Sequence, residues 1–462
     1  MNQRGGTTTD AAERPAAGRA GAREGLRRRR GAKIATAIAT AAIVSATGVG
    51  TASVASASTV HLTWWTMWSG TTLKLLNQMT AQFNKTHPGI VVTETNIPSA
   101  ATASTAKLLS SIAAGDPPDI FTEWWPEIGE FAADGDLTSL SPYLTGQYAG
   151  FEKWEYPVAV QGGTYKGNLY AVPMGLNSWA LYYDKGYLAK YGITSPPKTL
   201  AQLDADQAKM WVITNGKVQQ LGFYPDLNGN GFQFYTSFFN ATNCFNSAGK
   251  YDFENCAGAK AEMNWIASYD KYPYTQVMAL QTALGYVAGG QTDIWVNGKA
   301  GFVLSGPWEG AQNVPTSNPS LEGGFGVEAF PGTVPIPSTL GQGNFNIIPK
   351  GSAHPAQAFE FMTWLSGYQN ENFMGTIDPV GGWVPGGPSV TKVPAYQAWL
   401  KSNPWLSGFL PEMTSRYTEA PALTPTQAEL FNAENTATAN VLQKIMTPAQ
   451  ALKYIDQQAN AG

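Results

Sequence analysis

The strongest constraint on the fold is an alternation that begins at Val60. Val60-His61-Leu62-Thr63-Trp64-Trp65 has the make-up of a strand, and the stretch from Leu73 to Asn84 sets Leu73, Leu76, Met79 and Phe83 at a helical period. Ile90 to Thr95 reads as a second strand, Ala106 to Ala114 as a second helix, and Asp119-Ile120-Phe121 opens a third strand. This order predicts a mostly parallel sheet covered by helices. In Asp116-Pro117-Pro118-Asp119 the residue before each proline is driven out of the helical region, so the chain should run extended into the third strand.

The later chain repeats the pattern less regularly. Tyr170 to Pro173 and Ala180 to Tyr183 read as strands around a polar joint, Asn177-Ser178, and the strand Ala300 to Leu304 stops at Ser305-Gly306-Pro307. Ala356 to Leu365 is an amphipathic helix, and Thr426 to Lys444 and Thr447 to Gln458 are terminal helices, the second starting at Thr447-Pro448. Glycine and proline cluster in 323–343 and 379–388, which predicts loops. A length of about 400 residues beyond the leader exceeds what one core usually serves, so two lobes are expected.

The N-terminus bears on the compartment. Arg27, Arg28, Arg29, Arg30 and Lys33 precede an uncharged run from Ile34 to Val44, and Ala55-Ser56-Ala57 offers a small-x-small cleavage site. Residues 1–57 are therefore read as a signal peptide with a long n-region, the mature chain starting near Ser58 and the protein working outside the cytoplasm. The alternative is a retained anchor, since the uncharged stretch to Val60 is long enough to span a bilayer, although it is richer in Ala, Thr, Gly and Ser than in Leu. The leader carries nine Lys and Arg against three Asp and Glu, so the whole-chain charge of −4 becomes −10 without it. That balance excludes a nucleic-acid footprint. Arg416 is the one arginine of the mature part, which disfavours an anionic ligand, because guanidinium forks are the usual recognisers of phosphate and carboxylate.

Cys244 and Cys256 lie twelve positions apart and are expected to form a disulfide in an oxidising compartment, with two unpaired thiols as the alternative. His61, His87 and His354 are too scattered to build a zinc site, so neither metal nor cofactor is expected. Asp226-Leu227-Asn228-Gly229-Asn230-Gly231 matches the first half of a calcium loop, yet its twelfth position is Ser237 rather than Glu, and a plain turn is the preferred reading. Gly341-Gln342-Gly343-Asn344-Phe345-Asn346 lacks the third glycine and the following helix of a phosphate loop. It reads instead as a loop running into a hinge strand.

A resemblance becomes specific through segments taken in order. They are Phe83-Asn84-Lys85-Thr86-His87-Pro88-Gly89-Ile90-Val91-Val92, Ala114-Gly115-Asp116-Pro117-Pro118-Asp119-Ile120 and Tyr165-Lys166-Gly167-Asn168-Leu169-Tyr170-Ala171-Val172-Pro173. Leu181-Tyr182-Tyr183-Asp184-Lys185, Pro196-Pro197-Lys198-Thr199-Leu200, Asn297-Gly298-Lys299-Ala300, Gly306-Pro307-Trp308 and Ile348-Pro349-Lys350-Gly351-Ser352 follow. Together they resemble the extracellular solute-binding proteins of carbohydrate ABC importers, the maltose-binding-protein-like family, across essentially the whole mature chain. The resemblance implies a two-lobed α/β fold of the periplasmic-binding-protein type II, with lobes joined by crossing hinge strands. On that reading 58–175 and 344–400 form the N-terminal lobe, and 176–343 and 401–462 the C-terminal lobe. It implies a monomer without enzymatic activity that delivers a neutral mono- or oligosaccharide to a membrane permease with its ATPase.

Candidate ligand residues come from strand ends, where open α/β sheets place their ligands. The first strand delivers Trp68 and Ser69, and the third delivers Glu123 and Trp124. A pyranose needs flat apolar faces for its C–H surfaces and directed acceptors for its hydroxyls. Trp308 matches the family's Gly-Pro-Trp segment and has Glu309 beside it, while Gly382 and Trp383 lie in a glycine-rich stretch where backbone can come close to a ligand. Asn177, Phe232 and Gln233 are carried over from the resemblance. Trp211, Trp265, Trp295 and Trp364, on apolar patterns, are assigned to the core. The competing function is a secreted glycoside hydrolase or lyase, because Glu123-Trp124 and Trp308-Glu309 also suit such sites.

Overall fold

A computed structural model describes residues 58–97, 101–124, 127–285 and 293–461, the side chains of 101–104 and of Trp124 excepted. The expected signal peptide lies outside the described residues.

The alternation read from Val60 onward is present. Strand β1 (Val60–Thr66) leads to helix α1 (Gly70–Thr86), β2 (Ile90–Asn96), α2 (Ala101–Ala114) and β3 (Ile120–Trp124). β1 pairs in parallel with both β2 and β3. The Asp-Pro-Pro-Asp segment does more than extend the chain. The Asp119 carboxylate accepts from the Thr63 N–H (2.8 Å) and from the hydroxyls of Thr63 and Ser352 (both 3.1 Å), tying the start of β3 to β1.

Two later strands complete this sheet. β4 (Ala171–Asn177) leaves it toward β5 (Ala180–Asp184), the centre of a second, three-stranded sheet. There β5 pairs antiparallel with β6 (Phe302–Ser305) and β7 (Phe325–Glu328). The chain then returns to the first sheet as β8 (Gln342–Ile347), inserted antiparallel between β3 and β4. The sheets thus run β2-β1-β3-β8-β4 and β6-β5-β7. The molecule is a two-lobed α/β protein, crossed by Ser178-Trp179 and by the stretch from 329 to 341.

Helix α3 (Ala257–Ala267) belongs to the second lobe. α4 (Pro355–Leu365) covers the first sheet through Ala358, Phe359, Phe361 and Met362. α5 (Glu371–Gly381) follows it, and α6 (Gln427–Leu442) and α7 (Pro448–Ala459) close the chain against α3. Thr447 caps α7 with a reciprocal Thr447–Gln450 box, as Thr447-Pro448 predicted.

Two expected loops are partly regular. The 323–343 region contains β7 and the start of β8, and α5 runs through Pro379 to end at Gly382 in the left-handed conformation (φ 67°). Pro379 has no N–H to give the Gly375 carbonyl, and the helix ends two residues after it. Cys244 and Cys256 are joined by a disulfide, their Cα atoms 5.9 Å apart, in the loop that leads into α3. Among the described residues no helix is long and apolar enough to cross a membrane.

Candidate functional site

The lobes meet where the chain crosses between them. β4 ends at Asn177, in register with Gln342, the first residue of β8. The crossing itself is pinned: the Ser178 hydroxyl donates to Glu412 (3.0 Å), and Thr339 Oγ accepts from the Trp179 N–H (2.5 Å) and donates to its carbonyl (3.3 Å). Burial pushes the Glu412 carboxyl well above its ordinary range. Gln342 is 1% exposed, yet neither Oε1 nor Nε2 is hydrogen-bonded among the described residues. Such a group costs about 1–3 kcal/mol if nothing satisfies it, so a buried amide of this kind marks a place for water or ligand.

An aromatic wall begins at Trp179, two residues beyond Asn177 on the same crossing. Trp308 packs edge-on against Trp179 with ring centroids 5.1 Å apart, Trp179 lies 4.6 Å from Phe234, and Phe234 meets Phe431 at 6.3 Å. Trp179 is buried, and its indole N–H, like that of Trp68, has no acceptor among the described residues. Two glycines make room for Trp308. A Cβ on Gly306 would stand 1.9 Å from the Trp308 ring, and one on Gly382 would stand 2.4 Å from the Trp308 Cα. Trp308 therefore folds back over the end of β6 while the cap of α5 presses on its backbone from the other lobe.

The residues after Trp308 bind the lobes together. Glu309–Asn313 forms a π-turn, an uncommon geometry that concentrates at functional sites. From it Gln312 Nε2 donates to the Gly381 carbonyl (2.6 Å), and the Thr72 hydroxyl, in the first turn of α1, donates to Gln312 Oε1 (3.2 Å). One side chain of the second lobe thus holds two helices of the first.

The residues expected from sequence do not all converge here. Trp68 is half-buried after β1, its carbonyl accepting from Asn96, and Ser69 is exposed at the start of α1 without a side-chain cap bond. Glu123 is buried in β3 opposite Phe345, and Trp124 follows it opposite Asn344. Trp383 is buried rather than flexible, since a Cβ on Gly175 would meet its side chain at 2.8 Å. Gln233 donates to Asn435 (2.8 Å) and keeps its own oxygen without a partner.

Two expectations need correction. Phe232 is fully buried against Phe253, and Phe234, two residues on, takes the place in the wall. Glu309 is 1% exposed and turned into its own lobe, where it accepts from Ser305 (2.9 Å) and Asn313 (3.2 Å). Both bonds fall on Oε2, and burial, then the neighbouring Asp293, raises the carboxyl well above the usual range. Trp265, Trp295 and Trp364 are buried as assigned, whereas Trp211 is only half-buried, stacked on Tyr272 at 4.0 Å.

Trp179, Phe234, Phe431, Thr72, Gln312 and Gln342 were missed from sequence. The available signal for Trp179 was its place directly after the polar joint Asn177-Ser178. The calcium-like loop disperses its ligands: Asp226 meets Tyr274, Asn228 donates to Asp293 (3.1 Å), and Asn230 donates to the Leu304 carbonyl (2.7 Å). Among the described residues no three His, Cys, Asp or Glu side chains are grouped to hold a metal.

Comparison with known proteins gives one consistent result. A probable ABC transporter-binding protein of Deinococcus radiodurans is 24% identical over 355 residues, 72% of this chain and 81% of that protein. The solved structure of CpMnBP1 with mannotriose bound superposes with a TM-score of 0.75 at 25% identity, covering 87% of this chain and all of that one. The sugar-binding protein MalE of Xanthomonas citri shares the fold at a TM-score of 0.70 and 20% identity, covering 87% of this chain and 97% of that one. Residues 69–371, which include most of both sheets, the first crossing and Trp308, match the family of bacterial extracellular solute-binding proteins, and the chain belongs to that family.

Proposed function

We propose that this chain captures a neutral oligosaccharide between its lobes and delivers it to the permease and ATPase of an ABC importer, without chemical turnover. The observation that carries this reading is the wall of Trp308, Trp179 and Phe234, which with the unsatisfied amide of Gln342 lies at the crossing of a solute-binding fold. Stacked rings serve the C–H faces of a sugar, and unspent amide and indole groups serve its hydroxyls. The mannotriose bound by CpMnBP1 supports the same ligand class. Lobe limits of 58–175 with 344–400 and 176–343 with 401–462 belong to the proposal. In support, the chain passes from the first sheet to the second at 178–179 and returns between 329 and 341. Export with loss of residues 1–57 and a monomeric state complete it.

Calorimetric titration of the mature chain with mannotriose and maltotriose tests the reading. Saturable binding with a smaller radius of gyration and no new reducing ends is the expected result. Failure to bind any of a panel of neutral mono- to hexasaccharides would sink it, and steady release of shorter sugars would replace it by the hydrolase alternative.

A further inference from the structure

A recess of about 380 Å³ lies on the first lobe alone, formed by the end of α1, the turn at Gly146–Tyr148, α4 and the loop after α4. It shares no residue with the crossing. Its surface combines rings with polar side chains: His87, Tyr148, Trp364 and Tyr368 beside Gln82 and Glu360.

The rings are fixed in place. Trp364 is wedged between Phe83 (5.4 Å, edge-on) and Phe373 (5.5 Å), and the His87 ring stacks on Phe83 at 4.0 Å. The loop at the rim is fixed too. The Tyr368 hydroxyl and Gln369 Nε2 both donate to the Gln147 carbonyl (2.9 and 3.2 Å), holding Gln369 in the left-handed region at φ 59°. Non-glycine residues seldom sit there without cause. The polar groups, by contrast, are unspent: the Glu360 carboxylate, the Gln82 amide and the Trp364 indole N–H make no hydrogen bond among the described residues. Tyr148 stands near that carboxylate, since burial and then Glu360 raise its phenol. No lysine or arginine lines the recess, so an anion would find no counter-charge.

We propose that this recess is a second saccharide site, taking one or two neutral pyranose units independently of the cleft between the lobes. Fixed rings with unspent donors and an acceptor, in a volume within the usual range of small-ligand sites, are what such a ligand requires. Because every lining residue belongs to one lobe, binding here leaves the lobes as they are.

The test uses the mature chain carrying Trp308→Ala, so that the cleft is weakened, with tryptophan indole resonances followed by NMR. Glucose, mannose, galactose, maltotriose and mannotriose are the probes, and Trp364→Phe assigns the Trp364 signal. At least one probe should shift that signal saturably, with the same dissociation constant when Trp308 is restored and an unchanged radius of gyration in the Trp308→Ala protein. Glu360→Ala, a partly exposed position, should weaken the response at least about fivefold at an unchanged melting temperature. If that variant melts early, Gln82→Ala takes its place. The proposal is overturned by no shift up to tens of millimolar in any probe, by equal shifts in the variants, or by a shift that requires Trp308.

Discussion

In the lobe that carries β1, β2 and β3, ladders and paired polar groups do the joining. Trp64 Nε1 donates to Thr122 (2.8 Å), whose hydroxyl donates to Asn346 (2.8 Å), a relay across three neighbouring strands. The other lobe has three strands in its main sheet and fills its interior with rings. Phe223, Tyr235, Phe239, Tyr269 and Phe330 all lie within 6.1 Å of the Trp265 ring. Among them sit acids whose carboxyls burial pushes above their usual range, Asp226, Glu262 and Glu434. The first lobe is thus held by directed bonds that sequence periodicity announces. The second depends on the ring cluster around Trp265 and on one disulfide, buried acids being common to both lobes (Glu155 and Asp378 in the first), and it should be the one that yields first.

Truncating the centre of the ring cluster tests this contrast most severely. Trp265→Ala should cost about 3–5 kcal/mol, since a large aromatic group leaves a cavity that its neighbours fill only in part. Denaturant unfolding followed by hydrogen exchange should show amides of α3 and α6 opening well before those of β1 and β3. Simultaneous loss of protection in both lobes would refute a difference in cohesion. Reduction of Cys244–Cys256 comes next. Closing a loop of this length contributes on the order of 3 kcal/mol in the chain-entropy model. Melting curves with and without reductant should differ accordingly, and a Cys244→Ser, Cys256→Ser double variant that melts like the parent would remove the disulfide from the account.

At the site the comparison concerns Trp308, which belongs to the aromatic lobe but is pressed by a glycine of the other. Trp308→Ala should remove apolar contact with a sugar of about 1.5–3 kcal/mol, hence roughly tenfold or more in affinity. A large fall in melting temperature with an unchanged dissociation constant would make the ring a piece of core instead.

The difference between the lobes also explains what could be read in advance. Period-3.6 and period-2 patterns locate β1, α1, β2, β3, α4 and α7, because each buries one face against a regular neighbour. Such patterns are silent on side chains whose role depends on distant segments. Phe234 enters the wall through a non-repetitive turn, and Glu309 is drawn inward by Asp293, sixteen positions earlier in sequence. Trp308 was legible because Ser305-Gly306-Pro307 marks a strand end. Gln342 was not, since a glutamine between glycines looks like any loop.

The pH response should follow the buried acids. Asp226 is pushed up to about 7 by burial against an ordinary value of 3.8, and Glu262 and Glu434 move in the same direction. The folded form then holds protons that the unfolded chain releases above about pH 4. Stability from these groups is complete below that point; for Asp226 it is lost as pH rises toward and through about 7, and for Glu262 and Glu434 it is lost as pH rises above the usual carboxyl range. A higher melting temperature at pH 5 than at pH 8 is expected, with Asp226→Asn flattening the difference. A melting temperature that rises steadily from pH 5 to 8 would contradict the assignment.

The smallest effect expected is at Thr72, and it bears on how the two lobes are joined rather than on how each is built. Its hydroxyl donates to Gln312 Oε1, and Gln312 in turn donates to the Gly381 carbonyl, so the side chain completes a bond from α1 through the π-turn to α5. Valine has nearly the same shape and lacks the donor. Thr72→Val should therefore leave each lobe intact and remove about 0.5–1.5 kcal/mol from the joined form. If the unliganded protein samples joined and open forms, this shifts the population by a factor of roughly two to twelve, and apparent sugar affinity falls by no more than that factor. Small-angle scattering of the unliganded variant should show a larger radius of gyration, which returns to the parent value once sugar is saturating. Thr71→Val, one position earlier on the same turn and without that bond, is the control. A Thr72→Val protein that scatters like its parent and binds sugar with the same constant would show that Gln312 and Gly381 hold the lobes without Thr72.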